Sequence, residues 1–222
     1  MPIFECSRCN DLTYSSAREN AAPCPACGAA RKRLVHDAAS FAEAKQVPRA
    51  TSRGDHSIAV FDDFAQVVGV ASQFVDEAVV AGGFVVAAVP QELEGLIRTR
   101  LRADPDAIAW EPPGDTYGRS FEPHPVIEHF RGIAAAEDRP LFVLGCPDEP
   151  IQGFTSHAGW LEYERLAQET AVEDGITVLC MYDTRLHDEA MLRVGLVTHG
   201  LTVKGDRFCR NAAFEYQPPA AG

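Results

Sequence analysis

The chain has 222 residues, 46% of them hydrophobic, and a formal net charge of −12. That length suits one α/β domain of ordinary size with a small appendage. The charge is uneven: residues 1–53 carry eight Lys/Arg against five Asp/Glu, and the remainder twelve against twenty-seven, so nucleic acid, which needs a basic face, is an expected partner only for the N-terminal segment.

No apolar run approaches the length of a membrane span. Met1-Pro2-Ile3-Phe4-Glu5-Cys6 has neither the basic region nor the apolar core of a signal sequence, so a cytoplasmic protein without a membrane partner is expected. Seven cysteines in such a chain point to metal or thiol chemistry before disulfides. Cys6-Ser7-Arg8-Cys9 and Cys24-Pro25-Ala26-Cys27-Gly28 are two C-x-x-C knuckles with fourteen residues between Cys9 and Cys24. Four thiolates on two tight turns supply the tetrahedral sulfur set that zinc prefers. Redox dithiols or unrelated cysteines are the alternatives. Cys6, Cys9, Cys24 and Cys27 are therefore the expected metal ligands, holding one Zn2+ per chain. Four protein ligands leave no open position, so the zinc is structural. The segment resembles a rubredoxin-like zinc ribbon over residues 3–36. Arg31-Lys32-Arg33 is either a contact for nucleic acid or an acidic partner, or a solvated face. Residues 37–53 read as a short helix and a linker.

From Gly54 the chain alternates strands and helices. Ser57–Phe61 reads as a strand, and Phe64–Ala81 as a helix with apolar residues at i, i+3, i+4 spacing, stopped by Gly82-Gly83. Phe84–Val89 is a strand, Glu92–Arg102 an exposed helix and Ile108–Trp110 a short strand. Pro125–Ala136 is a helix, Leu141–Leu144 a strand and Ser156–Ala171 a helix. Ile176–Tyr182 is a strand, His187–Thr198 a helix, and Leu201–Lys204 with Phe208–Tyr216 a terminal strand pair. The domain closes at residue 217, and 218–222 form a loose tail. This alternation predicts an α/β fold with a mostly parallel sheet and helices on both faces.

The stretch Gly175 to Arg185 is the centre of the pattern. Ile176 to Cys180 form an apolar, β-branched run of the kind buried on both faces of a parallel sheet. The run ends in Tyr182, Asp183, Thr184 and Arg185, and open α/β sheets bind ligands outside the carboxyl ends of their strands. Cys180, Tyr182 and Asp183 are thus candidate site residues. The plainer alternative is a core cysteine, a surface tyrosine and a helix cap. No G-x-x-x-x-G-K-[ST] occurs, and no G-x-G-x-x-G follows a strand, so a phosphate cradle is not expected.

Several motifs in order resemble the MEDS family, the sensory domain described for methanogens and methylotrophs. The likeness covers roughly residues 54–210. Gly54-Asp55-His56 looks like its opening G-D-H, and Tyr117 stands where a tyrosine often follows the third strand. Trp160, Leu161, Tyr163 and Glu164 match its W-x-x-x-E-like helix. Leu179-Cys180-Met181-Tyr182-Asp183 is similar to its L-C-x-Y-D, and His199 to the histidine of its terminal H-P. Gly200 departs from that proline, and Gly145-Cys146-Pro147-Asp148-Glu149 replaces a segment that commonly holds an arginine and a glutamate. The resemblance implies a RecA-like α/β fold without a working phosphate loop, and a sensory or regulatory role with small hydrocarbon-derived ligands.

The expected ligand-binding set is His56, Tyr117, Trp160, Glu164, Cys180, Tyr182, Asp183 and His199. Glu164, if buried, needs a partner, because an unpaired core carboxylate is costly; His56 or Tyr182 would serve. A hydrogen-bonded cluster of these three is expected at the carboxyl edge of the sheet, with Tyr117 and His199 near. Cys146 and Cys209 receive no role. Ser156-His157 and Thr198-His199 are adjacent pairs, which do not make a nucleophile and base, so catalysis is not expected. The leading reading is a sensory or regulatory protein that binds a small ligand or a regulatory protein partner. The alternatives are an interaction module docking a transcription or sigma-factor regulator without a small ligand, and a small-molecule enzyme.

Overall fold

The computed structural model describes residues 3–6, 12–14, 31–34, 53–117, 123–147, 157–204, 207–211 and 213–214. The chain divides into two units, Met1–Lys45 and Gln46–Gly222. In the first unit β1 (Ile3–Cys6), β2 (Leu12–Tyr14) and β3 (Arg31–Leu34) form an antiparallel sheet in the order β2-β1-β3. Cys6 ends β1 opposite Arg31. Cys9, Cys24 and Cys27, most of the expected linker, and the 218–222 tail lie outside the described residues.

The second unit is a seven-stranded, mostly parallel sheet in the order β10-β9-β4-β8-β7-β5-β6. Its strands are β4 (His56–Phe61), β5 (Phe84–Ala88), β6 (Ile108–Glu111), β7 (Leu141–Gly145), β8 (Thr177–Asp183), β9 (Leu201–Lys204) and β10 (Arg207–Arg210). Only β10 runs antiparallel, as the second arm of a hairpin with β9. The expected run to Tyr216 overshoots: the chain turns at Asn211, whose carbonyl accepts the Phe214 N–H. β8 pairs with β4 on one side and β7 on the other. With both edges paired and both faces covered, it has to be apolar along most of its length.

Side chains alternate across a strand. Leu179 and Met181 of β8, with Ala59 and Phe61 of β4, face α1 (Phe64–Val80) and α2 (Gln91–Arg98). Asp63 caps α1 by accepting the Ala65 N–H at 2.9 Å. α2 is amphipathic rather than fully exposed, since Leu93 and Ile97 are buried. It ends at Arg98, short of Arg102, because the Asp76 carboxylate takes the N–H groups of Arg102 and Ala103 at 2.9 and 2.8 Å.

The opposite face of the sheet carries α4 (Pro123–Ala136), α5 (His157–Asp174) and α6 (Glu189–Thr198). α3 (Pro113–Tyr117) is a short helix that the Pro-Pro-Gly sequence disguised as a loop. α6 starts two residues later than expected, where Asp188 accepts the Met191 N–H at 2.9 Å.

Gly54 positions the start of β4. It sits at φ +90°, and a Cβ there would stand 3.0 Å from the Ala171 carbonyl oxygen of α5. The next residue, Asp55, accepts the Val178 N–H at 2.8 Å, which extends the β4–β8 ladder toward His56. Gly54→Ala combines a disfavoured φ with that close approach. It should lower stability by more than about 1 kcal/mol in denaturant melts, with the unfolding m-value unchanged.

Candidate functional site

Four elements converge on one buried point. β4 opens with His56, α5 carries Glu164 in its middle, β8 carries Cys180 and Tyr182, and α6 ends at its C-cap residue His199. Cys180 and Tyr182 lie two apart on the strand and so share a face, the face covered by α5 and α6. All five residues are at most 2% exposed.

Glu164 is the hub. Its Oε1 accepts a short hydrogen bond from the Tyr182 hydroxyl. Its Oε2 lies 3.6 Å from His56 Nε2 and 3.5 Å from His199 Nε2. His56 Nε2 is also 3.4 Å from Cys180 Sγ. The two imidazole rings lie with centroids 3.8 Å apart and planes tilted by 38°. His199 Nδ1 lies 2.5 Å from the Gly195 carbonyl oxygen, to which it donates. Gly195 has no side chain because Ile58 and the Tyr182 ring occupy that space; a Cβ there would come within 2.8 Å of Ile58 Cδ1.

Burial pushes the Glu164 carboxyl up to about 8, with the Tyr182 hydrogen bond offsetting part of the rise. Burial takes His199 down to about 3 against the opposing pull of the Gly195 carbonyl. Burial and then the neighbouring His199 hold His56 well below the usual histidine value, with Gln168 opposing. Burial, then the proximity of Glu164, raise the Cys180 thiol. At neutral pH the group is thus four uncharged side chains. His56, Glu164, Cys180 and His199 also offer one donor atom each, all within 4.8 Å of one another, a set able to chelate a metal ion.

The other expected residues fall around this centre in different ways. Trp160 is fully buried, stacks on Tyr163 at 4.9 Å and meets Tyr182 edge-on at 6.0 Å. Tyr117, the last residue of α3, shares a hydrogen bond with the Tyr163 hydroxyl. Its own hydroxyl oxygen lies where a side chain at Gly145 would begin, 2.5 Å from that Cβ position. Tyr117, Tyr163 and Cys180 line a cavity of about 20 Å³ whose other walls include Ile127, Phe130 and Val143. Tyr117 therefore meets the centre across this cavity, beside Cys180. Asp183 stands apart. Its carboxylate is held by the guanidinium and backbone N–H of Arg185, and although burial raises its pKa, those contacts leave it below the usual carboxylate range.

The cluster is not at the carboxyl edge of the sheet. His56 begins its strand and pairs in register with Val178, two residues before Cys180. The group lies between sheet and helices, running from the His56–Val178 pair to the Val60–Tyr182 pair and so along most of the β4–β8 ladder. Tyr163, Gln168 and the Gly195 carbonyl were not singled out as site residues in the sequence. Tyr163 follows Trp160 by three residues, which on a helix puts both on one face, and that spacing was a usable signal. His187, read as a helix start, is buried with its ring 5.1 Å from Tyr182.

Residues 55–200 match the profile of the MEDS family, described as the methanogen/methylotroph, DcmR sensory domain. The chain belongs to this family. No curated protein matches the chain significantly. MEDS domains are sensory modules rather than catalytic ones, so the residues of the centre are those of a sensory domain, not of an active site. Among the described residues no helix is long and apolar enough to cross a membrane.

The shifted groups set a pH profile for the metal-free chain. Below about pH 6.5 the unfolded state binds protons at the two histidines that the folded state does not, down to about 3 for His199, so stability rises with pH. Between 4.5 and about 8 the folded state holds the Glu164 proton that the unfolded state has lost, which lowers stability as pH rises. The two histidines outweigh the carboxyl up to about 6.5. Chemical melts should therefore show maximal stability near pH 6.5 and a decline toward pH 8. Glu164→Gln should remove the decline; an unchanged decline would mean that Glu164 is ionised in the fold.

Proposed function

We propose that the chain is a sensory and regulatory protein whose MEDS domain responds to a small ligand at the buried centre and passes the response to a regulatory protein partner. The observation that carries this reading is the polar centre itself. A core gains nothing from burying a carboxyl, two imidazoles and a thiol at one point, and uncompensated burial of such groups is costly. Clusters of strongly shifted groups mark functional sites. His56, Tyr117, Trp160, Glu164, Cys180, Tyr182 and His199 are the proposed ligand-responsive set, with Asp183 at the strand end. The adjoining cavity of about 20 Å³ is apolar on most of its walls, so the part of a ligand that enters it is no larger than a methyl group or a water.

The domain is RecA-like in outline, on our reading, without the nucleotide chemistry of that fold. The connection from β4 to α1 is Phe61-Asp62-Asp63-Phe64, with no glycine turn and no lysine to meet a phosphate. Magnesium-dependent ATP turnover by the purified chain should not exceed that of a mock preparation. In the N-terminal unit, the paired C-x-x-C spacing supports a structural zinc on Cys6, Cys9, Cys24 and Cys27. Cys24→Ser should then abolish one equivalent of bound zinc while the far-UV signature of the α/β domain persists, because the two units have separate contacts.

Trp160 gives a direct readout of the ligand-responsive centre. In a Trp110→Phe chain it is the remaining tryptophan, packed on Tyr163 and near Tyr182. Titration with methanol, methylamine and formate should change its emission saturably for at least one probe, and Tyr182→Phe should abolish the change. No response to any probe, together with a native mass spectrum free of co-purified organic molecule, would overturn the small-ligand reading in favour of partner docking alone.

A further inference from the structure

We infer that His56, Glu164, Cys180 and His199 together bind one divalent transition-metal ion of the zinc class in the core of the α/β domain. The inference rests on the reading of this centre as the sensory site and gives that site its chemistry.

The separations are the first argument. His56 Nε2 lies 3.4 Å from Cys180 Sγ and 3.6 Å from Glu164 Oε2, and His199 Nε2 lies 3.5 Å from the same oxygen. N–H···O and O–H···N hydrogen bonds close to about 2.7–3.2 Å, so the two histidine–carboxyl contacts are too wide for them. Nitrogen, oxygen and sulfur ligands at zinc bond lengths of about 2.0–2.3 Å sit at the corners of a tetrahedron with edges of about 3.3–3.7 Å. Three of the six spacings fall in the range of tetrahedral edges, and all four donor atoms lie within 4.8 Å of one another, close enough to converge on one ion.

The orientation of the lone pairs is the second. His199 commits Nδ1–H to the Gly195 carbonyl, which leaves Nε2 as a bare acceptor. Glu164 commits Oε1 to the Tyr182 hydroxyl, which leaves Oε2. Both His199 Nε2 and Glu164 Oε2 are buried and have no hydrogen-bond partner. Even with Oε2 protonated in the metal-free chain, the 3.5 Å separation leaves His199 Nε2 and Glu164 Oε2 short of a hydrogen bond, a costly arrangement in a dry core that a cation between them would relieve. A histidine whose second nitrogen donates to a backbone carbonyl, and a carboxylate steadied by a hydroxyl, are the usual outer contacts of metal ligands.

The donor types select the ion. One thiolate and one carboxylate supply two negative charges for a divalent cation, and the two imidazoles are neutral ligands. Entry of the ion expels the thiol proton and the carboxyl proton to solvent. Sulfur and imidazole favour zinc and its neighbours over magnesium and calcium, which take oxygen ligands. Four protein donors leave no open position for substrate, so the ion holds structure or signals occupancy rather than catalysing. It would join β4, α5, β8 and the end of α6 at one point.

The test separates this ion from the proposed N-terminal zinc. In a Cys24→Ser/Cys27→Ser full-length background the cysteine knuckles cannot hold metal. That chain, reloaded with Zn2+ and desalted, should retain one equivalent by elemental analysis, and its melting temperature should fall on chelation. His199→Asn and Glu164→Gln in the same background should retain less than a tenth of an equivalent. Loading with Co2+ should give intense tetrahedral d–d bands and a sulfur-to-cobalt charge-transfer band, the latter lost in Cys180→Ser. This spectrum decides the matter if the histidine or glutamate variant does not fold. No bound metal in the folded background, full retention by His199→Asn, or a cobalt spectrum without sulfur ligation would overturn the inference. The Trp160 response to small organic probes is read separately, so loss of either result leaves the other standing.

Discussion

The structure of the α/β unit depends on one constraint: Glu164 is a carboxyl in the middle of a buried helix face, and everything around it has to satisfy it. It is fully buried on α5, with no lysine or arginine paired to it among the described residues. Burial favours its neutral form. Tyr182 satisfies one oxygen, and the two imidazoles face the other. The parallel pairing of β4 with β8 makes this possible, because it sets His56 beside Val178 and lets its ring reach Cys180 on the next same-face position. A one-residue slip would turn Cys180 and Tyr182 to the other face of the sheet. Gly195 then matters as much as any polar residue, since it lets the Tyr182 ring approach α6 and offers the carbonyl that orients His199.

The two faces of the sheet divide the work. Toward α1 and α2 the packing is aliphatic and aromatic, with Leu179, Met181, Phe61, Phe74 and Leu144 among its members. That face supplies the hydrophobic gain that holds the domain together. Toward α5 and α6 the same strands present His56, Cys180 and Tyr182. The stability of the first face is what allows a polar centre, costly by itself, on the second.

Much of this was legible in the sequence, and the limits have physical causes. Strand and helix periodicity located most elements of the α/β unit because buried parallel strands and amphipathic helices write strong patterns. Ends were weaker: α2 stopped early at a tertiary contact from Asp76, which no local signal announces, and α3 hid in a Pro-Pro-Gly run. Of the residues singled out, His56, Glu164, Cys180, Tyr182 and His199 meet at one point, although 143 positions separate the first and last. Motif order suggested their company, but not that His56 would meet the others in mid-sheet, which needs the strand register. Asp183 falls on the Leu179 and Met181 side of β8, away from the centre, and pairs there with Arg185 two residues later.

His199 joins the buried centre to the edge of the sheet. It caps α6 and, after Gly200, leads into β9, which pairs with β4 through Ser57 and Leu201. Asn211, beyond β10, donates to the carbonyls of Leu196 and His199 at 2.5 and 2.8 Å, and so ties the hairpin back to the same helix end. The ring of His199 faces Glu164 while its backbone carries the hairpin. That hairpin closes this side of the sheet in strands of four residues each. β10 is the outer strand of the sheet; an edge strand leaves one side of its backbone available for pairing, and the Asn211 contacts tie that edge to the helix end that carries His199.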